Sequence, residues 1–200
     1  MAREKGLTFY KRRSDDGFKT LKAVISWIVI TFFAVFLAFI VNIFFGNRTK
    51  ITGSSMEPTL YNGQIVFVDK FLYKVSSPKK GDVIVFYANG NTNSHTYARR
   101  VIATPQDTVL IRDGVVYVNG LESKLVSDVI VEPGIAEYEL TIQKGTVFCL
   151  GDDPLNSEDS RSANIGPVKY EDIVGKVWFK LKAKNSPMGF INKKKSKTEE

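Results

Sequence analysis

Ser55 is the residue of this chain whose surroundings most clearly suggest chemistry. It lies in the run 53–60 (Gly-Ser-Ser-Met-Glu-Pro-Thr-Leu), ten residues after an apolar segment that ends at Phe45. The proline restricts the backbone of this run, as expected for a tight turn that presents a side chain. A hydroxyl on such a turn beside a membrane is a candidate nucleophile, provided that a neighbouring group accepts its proton.

The usual partners of a nucleophilic serine are scarce. His95 is the sole histidine, and its polar loop sequence favours an exposed side chain over a role as a base. Cys149 is the sole cysteine, so the chain forms no internal disulfide, and its apolar neighbours indicate a small buried side chain. Zinc therefore lacks its usual ligands, and we expect neither a metal site nor a cofactor.

An uncharged segment precedes this serine. Residues 23–45 contain no charged side chain. As a helix they would extend about 35 Å, which is enough to cross a hydrocarbon layer of about 30 Å. Because no small-residue cleavage site follows, the sequence predicts a permanent transmembrane signal-anchor rather than a removable signal peptide or a buried core helix.

Charge predicts the orientation of the anchor. Residues 1–22 carry seven Lys/Arg and three Asp/Glu, which favours a cytoplasmic N-terminus and an extracytoplasmic remainder in a single-pass protein of the cell membrane. The net charge of +7 comes from the two ends of the chain. No basic stripe is interleaved with aromatic residues, so we do not expect nucleic-acid binding. The lysines at 193–195 could contact anionic membrane lipid or belong to a solvated tail.

The rest of the chain has the pattern of a β domain. Apolar runs of strand length and an Asp-Gly hairpin signal at 113–114 predict a mainly-β, antiparallel domain over 47–182, followed by a lysine-rich tail over 183–200. The expected strands are 65–68, 83–87, the hairpin 108–117, 126–131, 136–142, 146–150 and 174–181. Apolar side chains at Met56, Pro58 and Leu60 could anchor the turn in the core.

Three segments in order carry a family resemblance. They are 53–60, then 81–87 with 97–107, and then 151–166, which contains Gly-Asp-Asp and Asn-Ser-Glu-Asp-Ser-Arg. Behind an N-terminal anchor, this order resembles the type I signal peptidases, membrane serine proteases with a mainly-β domain. The resemblance implies a fold of that kind, exported preproteins as partners, and cleavage of signal peptides after small-x-small motifs.

The resemblance also assigns roles to particular residues. It implies that Ser55 is the nucleophile and that its own backbone N–H stabilises the oxyanion. The family pattern Lys-Arg-Val-Ile-Gly-Leu-Pro-Gly-Asp places Arg99 at the general-base lysine and Arg100 at the following arginine. Support for the site is implied for the following residues: Ser157, Asp159, Arg161, and Asp152 as an ion-pair partner of Arg100.

The replacement of lysine by Arg99 leaves two functions open. A buried lysine can lose its proton and act as a base, whereas a guanidinium stays protonated, with a pKa above about 12. In the first hypothesis the chain is an active signal peptidase I-type endopeptidase, and Lys79 or Lys80 could supply the missing base. In the second it is a catalytically impaired pseudo-peptidase that binds exported chains, for example during assembly of a surface structure.

Overall fold

The structure is a computed structural model, and it describes residues 15–45, 47–92, 95–126, 128–184 and 186–191. The positively charged stretch 1–14 and the lysines at 193–195 lie outside these residues. The chain divides into two compact units, 1–42 and 43–200, which are described separately.

The described residues of the N-terminal unit, 15–42, lie in a single helix, α1 (Asp15–Phe45). Its segment Gly17–Ile40 has a mean hydropathy of 2.7, long and apolar enough to cross a membrane. Large side chains such as Trp27 and Phe32 are about 70% exposed, because no other part of this unit covers them. The helix begins eight residues before the predicted anchor, so its first two turns carry charged residues such as Lys19 and Lys22.

The second unit is built from short antiparallel strands and one short helix, α2 (Leu72–Val75). The strands are β1 (Arg48–Lys50), β2 (Ile65–Asp69), β3 (Val83–Tyr87), β4 (Thr96–Ala103), β5 (Thr108–Arg112), β6 (Val115–Val118), β7 (Leu121–Glu122), β8 (Leu140–Thr141), β9 (Thr146–Leu150), β10 (Val168–Lys169), β11 (Ile173–Lys180) and β12 (Gly189–Phe190).

Within the described residues these strands form two sheets. The larger sheet has the order β1-β2-β11-β3-β4-β9-β10, and β12 pairs with β11. The smaller sheet has the order β7-β6-β5-β8. The prediction of an apolar helix followed by a mainly-β antiparallel domain is confirmed.

Strand β4 is central to the larger sheet because it pairs with β3 on one side and β9 on the other. Ile84 of β3 lies opposite Arg99, and Val83 lies opposite Arg100. Residues 98–103 of β4 are all buried. The two arginines therefore project from a strand whose backbone is paired on both sides, which gives their side chains a rigid base.

The turn that follows β1 is fastened to the core. Met56 and Leu60 are fully buried and pack with apolar side chains of β2 and β3. The amide of Leu60 also donates to the carbonyl of Met56, 2.8 Å away. Pro58 is exposed, so the prediction that it too anchors the turn in the core was wrong. The anchoring comes from its two apolar neighbours.

One predicted strand is absent. The described residues among 126–131 form no strand, although their apolar character favoured one. Ile130 alone is buried, and its amide donates to the carbonyl of Gly114, while Val129 and Val131 are about 70% exposed. The segment therefore packs Ile130 and the partly buried Val126 against the core that includes the β5–β6 hairpin, instead of forming a ladder. Within the run 136–142, strand β8 covers only Leu140–Thr141, and a 3₁₀ turn at Gly134–Ala136 precedes it.

The remaining strand predictions are confirmed. Strands β2, β3, β9 and β11 and the β5–β6 hairpin with its turn at 113–114 lie where the sequence placed them. The division into domains stays a prediction. Strand β12 nevertheless lies within the segment assigned to the lysine-rich tail, where Phe190 pairs with Phe179 of β11.

Candidate active site

Ser55 lies at the inner side of its turn, and the residue is 7% exposed. Its carbonyl accepts a hydrogen bond from the amide of Asp153, 3.0 Å away, which joins the turn to the loop after β9. Among the described residues, none accepts a hydrogen bond from the backbone N–H of Ser55. That N–H is therefore available to an incoming oxygen atom.

The side chain that meets Ser55 is Arg99. Its Nη1 donates to Ser55 Oγ at 2.7 Å and to the carbonyl of Ala98 at 2.6 Å. Its Nε and Nη2 both donate to the carbonyl of Glu158, at 2.9 and 2.5 Å. The structure therefore brings together Ser55 and Arg99, the two residues that the resemblance assigned to the nucleophile and to the position of the base.

The guanidinium of Arg99 sits in an environment that disfavours its charge but cannot remove it. Burial lowers the pKa of Arg99, while the charge of Asp159 acts in the opposite direction. The ring of Tyr97, whose centroid is 5.3 Å from Cζ, offers further stabilisation of the cation. Because arginine remains protonated even when buried, its contact with Ser55 is that of a donor, and it takes no proton from Oγ.

Asp159 organises the loop beside this pair. Its carboxylate accepts from Ser157 Oγ at 2.7 Å, from the amide of Gly151 at 3.1 Å and from Arg161 Nε at 2.8 Å. Asp159 is 1% exposed, so these bonds form where water does not compete. The structure thus brings together three of the residues predicted as support, and they fix the loop whose Glu158 carbonyl holds Arg99.

Gly151 allows the loop and the turn to approach closely. A Cβ atom at this position would collide with the Ser55 carbonyl oxygen and with the Ser157 side chain. A glycine is therefore required here for steric reasons, not for an unusual backbone angle.

The predicted pair of Arg100 and Asp152 is present and fully buried. Nε and Nη2 of Arg100 donate to the two carboxylate oxygens of Asp152 at 2.7 and 2.6 Å. The side chains are 1% and 2% exposed. Arg100 also donates to the carbonyl of Gly81 and to Thr59 Oγ1, at 3.0 and 3.2 Å. This bidentate pair ties β4, the loop after β9 and the serine turn into one unit.

Two residues that contact or line the candidate site were not singled out from the sequence. Lys180 of β11 donates through Nζ to the carbonyl of Thr59, 2.9 Å away, and so holds the far end of the serine turn. Burial lowers the pKa of Lys180. Lys50 of β1 lines a small cavity of about 10 Å³ beside Ser55 and Arg99. Neither residue has a local sequence signal, because each meets the turn through strand pairing.

The other candidate partners of Ser55 lie elsewhere. Lys80 Nζ is 2.8 Å from a carboxylate oxygen of Asp107, and neither Lys79 nor Lys80 lines the cavity at Ser55. His95 is exposed, and its ring lies 4.6 Å from the ring of Tyr97. Cys149 is buried, and burial raises its pKa, which keeps the thiol protonated. Among the described residues no group of His, Cys, Asp and Glu is arranged to hold a metal ion.

The chain was compared with known proteins. The family model described as signal peptidase, peptidase S26, matches residues 24–182. Signal peptidase I T of Bacillus subtilis (strain 168) is 31% identical over 169 residues, covering 78% of this chain and 84% of the relative. Signal peptidase IB of Staphylococcus aureus (strain COL) is 34% identical over 180 residues, covering 80% and 90%.

A solved signal peptidase I from Enterococcus faecalis V583 is 26% identical, covers 52% of this chain and 98% of its own, and has a TM-score of 0.39. The family match at residues 24–182 spans most of the apolar helix, the serine turn, strand β4 and the Asp159 loop. This chain belongs to the signal peptidase family S26, a family of membrane-associated serine endopeptidases that act on exported preproteins.

Proposed function

We propose that this protein binds the exported segment of preproteins at a signal-peptidase site but leaves the peptide bond intact. The observation that carries the proposal is the 2.7 Å hydrogen bond from Arg99 Nη1 to Ser55 Oγ. A permanent donor occupies a lone pair of the hydroxyl, and no described residue accepts the hydroxyl proton. The second hypothesis of the sequence analysis is therefore the one that the geometry favours.

The surroundings of Ser55 support binding of an extended peptide. The cavity beside Ser55 lies between residues of β1 and β4, and the small side chains of Thr49, Thr52, Thr96 and Ala98 line it together with larger ones such as Ile51, Met56 and Val85. A peptide laid over the mouth of this cavity as an added strand would be held through its backbone, and a volume of about 10 Å³ would admit only a small side chain. This agrees with recognition of a small-x-small motif. A protein that holds such chains without cutting them could assist the assembly of a surface structure.

The membrane arrangement is part of the proposal. We place α1 across the cell membrane, with the N-terminus in the cytoplasm and the β domain on the outer side. Its support is the apolar segment Gly17–Ile40 together with the positive charge that precedes it.

The test is binding and cleavage measured on the same sample. Full-length protein in detergent is mixed with a labelled preprotein segment that carries a small-x-small site, and with a matched segment in which both small residues are replaced by phenylalanine. We expect anisotropy to report binding of the first segment only and mass spectrometry to find it intact. Failure to bind would contradict the proposal, as would cleavage that Ser55→Ala abolishes.

Cleavage by Ser55 is the second candidate, and one observation favours it. Lys50 lines the same cavity as Ser55, so its amine is a candidate acceptor for the hydroxyl proton. The unpaired backbone N–H of Ser55 would then stabilise the oxyanion. If this candidate is correct, both Ser55→Ala and Lys50→Ala abolish cleavage. Lys74→Ala, which alters an exposed lysine on α2, leaves it unchanged.

A further inference from the structure

The buried ion pairs of the β domain leave one positive charge unmatched. Among the described residues, four carboxylates are buried, and each is paired with a cation other than Arg99. The pairs are Asp82 with Lys176, Asp107 with Lys80, Asp152 with Arg100, and Asp159 with Arg161.

Arg99 has no such partner. Its hydrogen bonds go to two backbone carbonyls and one hydroxyl, all of them neutral oxygens. Glu158, whose carbonyl is one of these, has an exposed carboxylate that accepts from the hydroxyl of Tyr97 instead. Asp159 acts on Arg99 only through space, and a charge that is 95% buried without a carboxylate in direct contact is costly, so an anion bound directly to it would stabilise the protein.

The position of Arg99 defines where that anion would lie. A carbonyl carbon placed for attack by Ser55 Oγ is about 3–3.5 Å from that oxygen. Arg99 Nη1 is 2.7 Å from the same oxygen, and the unpaired backbone N–H of Ser55 belongs to the same residue. A free carboxylate at the end of a peptide would therefore meet a cation on one side and a backbone donor on the other.

We propose that the preferred ligand of this site is the carboxyl terminus of a peptide that ends in a small residue, the species left when a signal peptide has already been removed. This inference rests on the proposed function and names the form of the exported chain that binds best. An endopeptidase reaction that cuts after small residues must supply the ligand. The small cavity lined by Thr96 and Ala98 accepts the last side chain, and the replacement of lysine by Arg99 creates the carboxylate receptor.

The experiment compares one peptide in two forms. A labelled peptide ending in Ala-Ser-Ala is prepared with a free carboxylate and with a terminal amide, and each is titrated with the full-length protein in detergent. A hydrogen bond to a charged group is worth about 1.5–3 kcal/mol, so we expect the acid to bind about 10- to 100-fold more tightly. Acetate should compete with the acid form and have little effect on the amide.

Two variants locate the effect. Arg99→Gln removes the charge and should abolish the preference for the acid, whereas Arg112→Gln, an exposed arginine on β5, should preserve it. Equal affinity of acid and amide for the unmodified protein overturns the inference, whether or not Arg99→Gln folds. Retention of the preference in a folded Arg99→Gln protein overturns it as well.

The same titration separates this inference from the proposed function. An intact preprotein segment is included as a third ligand. If the segment binds and the two peptide forms bind equally, the inference of a carboxylate-binding site is wrong while the proposed function stands. If neither the segment nor the peptides bind, the proposed function itself is wrong.

Discussion

Removing one partner of the buried pair between Arg100 and Asp152 should destabilise the β domain severely. In Arg100→Met the Asp152 carboxylate would remain 98% buried without its bidentate partner. Leaving such a charge buried without a partner lowers the free energy of unfolding by about 3–5 kcal/mol. For a domain of this size, that loss lowers Tm by about 6–20 °C. The carbonyl of Gly81 would lose its donor in the same substitution.

The assay is thermal unfolding of the full-length protein in detergent, followed by near-UV circular dichroism, which reports side-chain packing of the β domain. The control is Lys169→Met, which breaks the pair of Lys169 with Glu171, at 3.5 Å with both side chains more than 60% exposed. Exposed pairs contribute about 0–1 kcal/mol, so this change should lower Tm by only a few degrees. The double variant Arg100→Met/Asp152→Leu should recover most of the loss, because no charge is left buried.

Two outcomes would refute this reasoning. One is a fall in Tm for Arg100→Met that is no larger than the fall for Lys169→Met. The other is a double variant that is no more stable than Arg100→Met alone, which would mean that packing and not the stranded carboxylate determines the loss.

Two further predictions concern Gly151, in the loop after β9, and Asp107, in the turn between β4 and β5. Gly151→Ala should cost about 1–3 kcal/mol and weaken preprotein binding, since its Cβ would displace the Ser55 carbonyl. Gly189→Ala, where a Cβ meets open space, should leave both stability and binding unchanged, and an equal loss in the two variants would contradict the steric argument. Burial alone would raise the pKa of Asp107, but hydrogen bonds led by that from Lys80 outweigh it and hold this pKa at about 2. The domain should therefore lose stability below about pH 4, and urea midpoints for Asp107→Asn should lack this component of the loss.

The parts of the fold that were predictable are those determined by local pattern. The charge-free run 23–45 and the Asp-Gly turn at 113–114 each specify their element without help from distant residues. The run 126–131 was predicted wrongly for the opposite reason. Its apolar residues fit a strand, but a strand needs a partner, and Gly114 offers this segment a single hydrogen bond through Ile130.

Parts of the candidate site could likewise be predicted from the sequence, and other parts could not. Ser55 and Arg99 could be located from segment order, yet the contact that positions Arg99 is the backbone carbonyl of Glu158, which no side-chain pattern reveals. The hydrogen bond from Lys180 to the carbonyl of Thr59 joins residues 121 positions apart and depends on the pairing of β11 with β2. Backbone acceptors and long-range strand contacts leave no local trace in a sequence.

The central claim is that Arg99 leaves Ser55 without a base, and the most direct test is the cleavage rate of Arg99→Lys beside that of the unmodified protein. A buried lysine can be neutral at moderately alkaline pH and accept the proton of Ser55, and a positioned base contributes on the order of 10²–10⁴-fold in rate. We predict no cleavage of a small-x-small preprotein by the unmodified protein, measurable cleavage by Arg99→Lys, and none by Arg99→Lys/Ser55→Ala. Equal cleavage by the unmodified protein and Arg99→Lys, abolished in both by Ser55→Ala, would contradict the account.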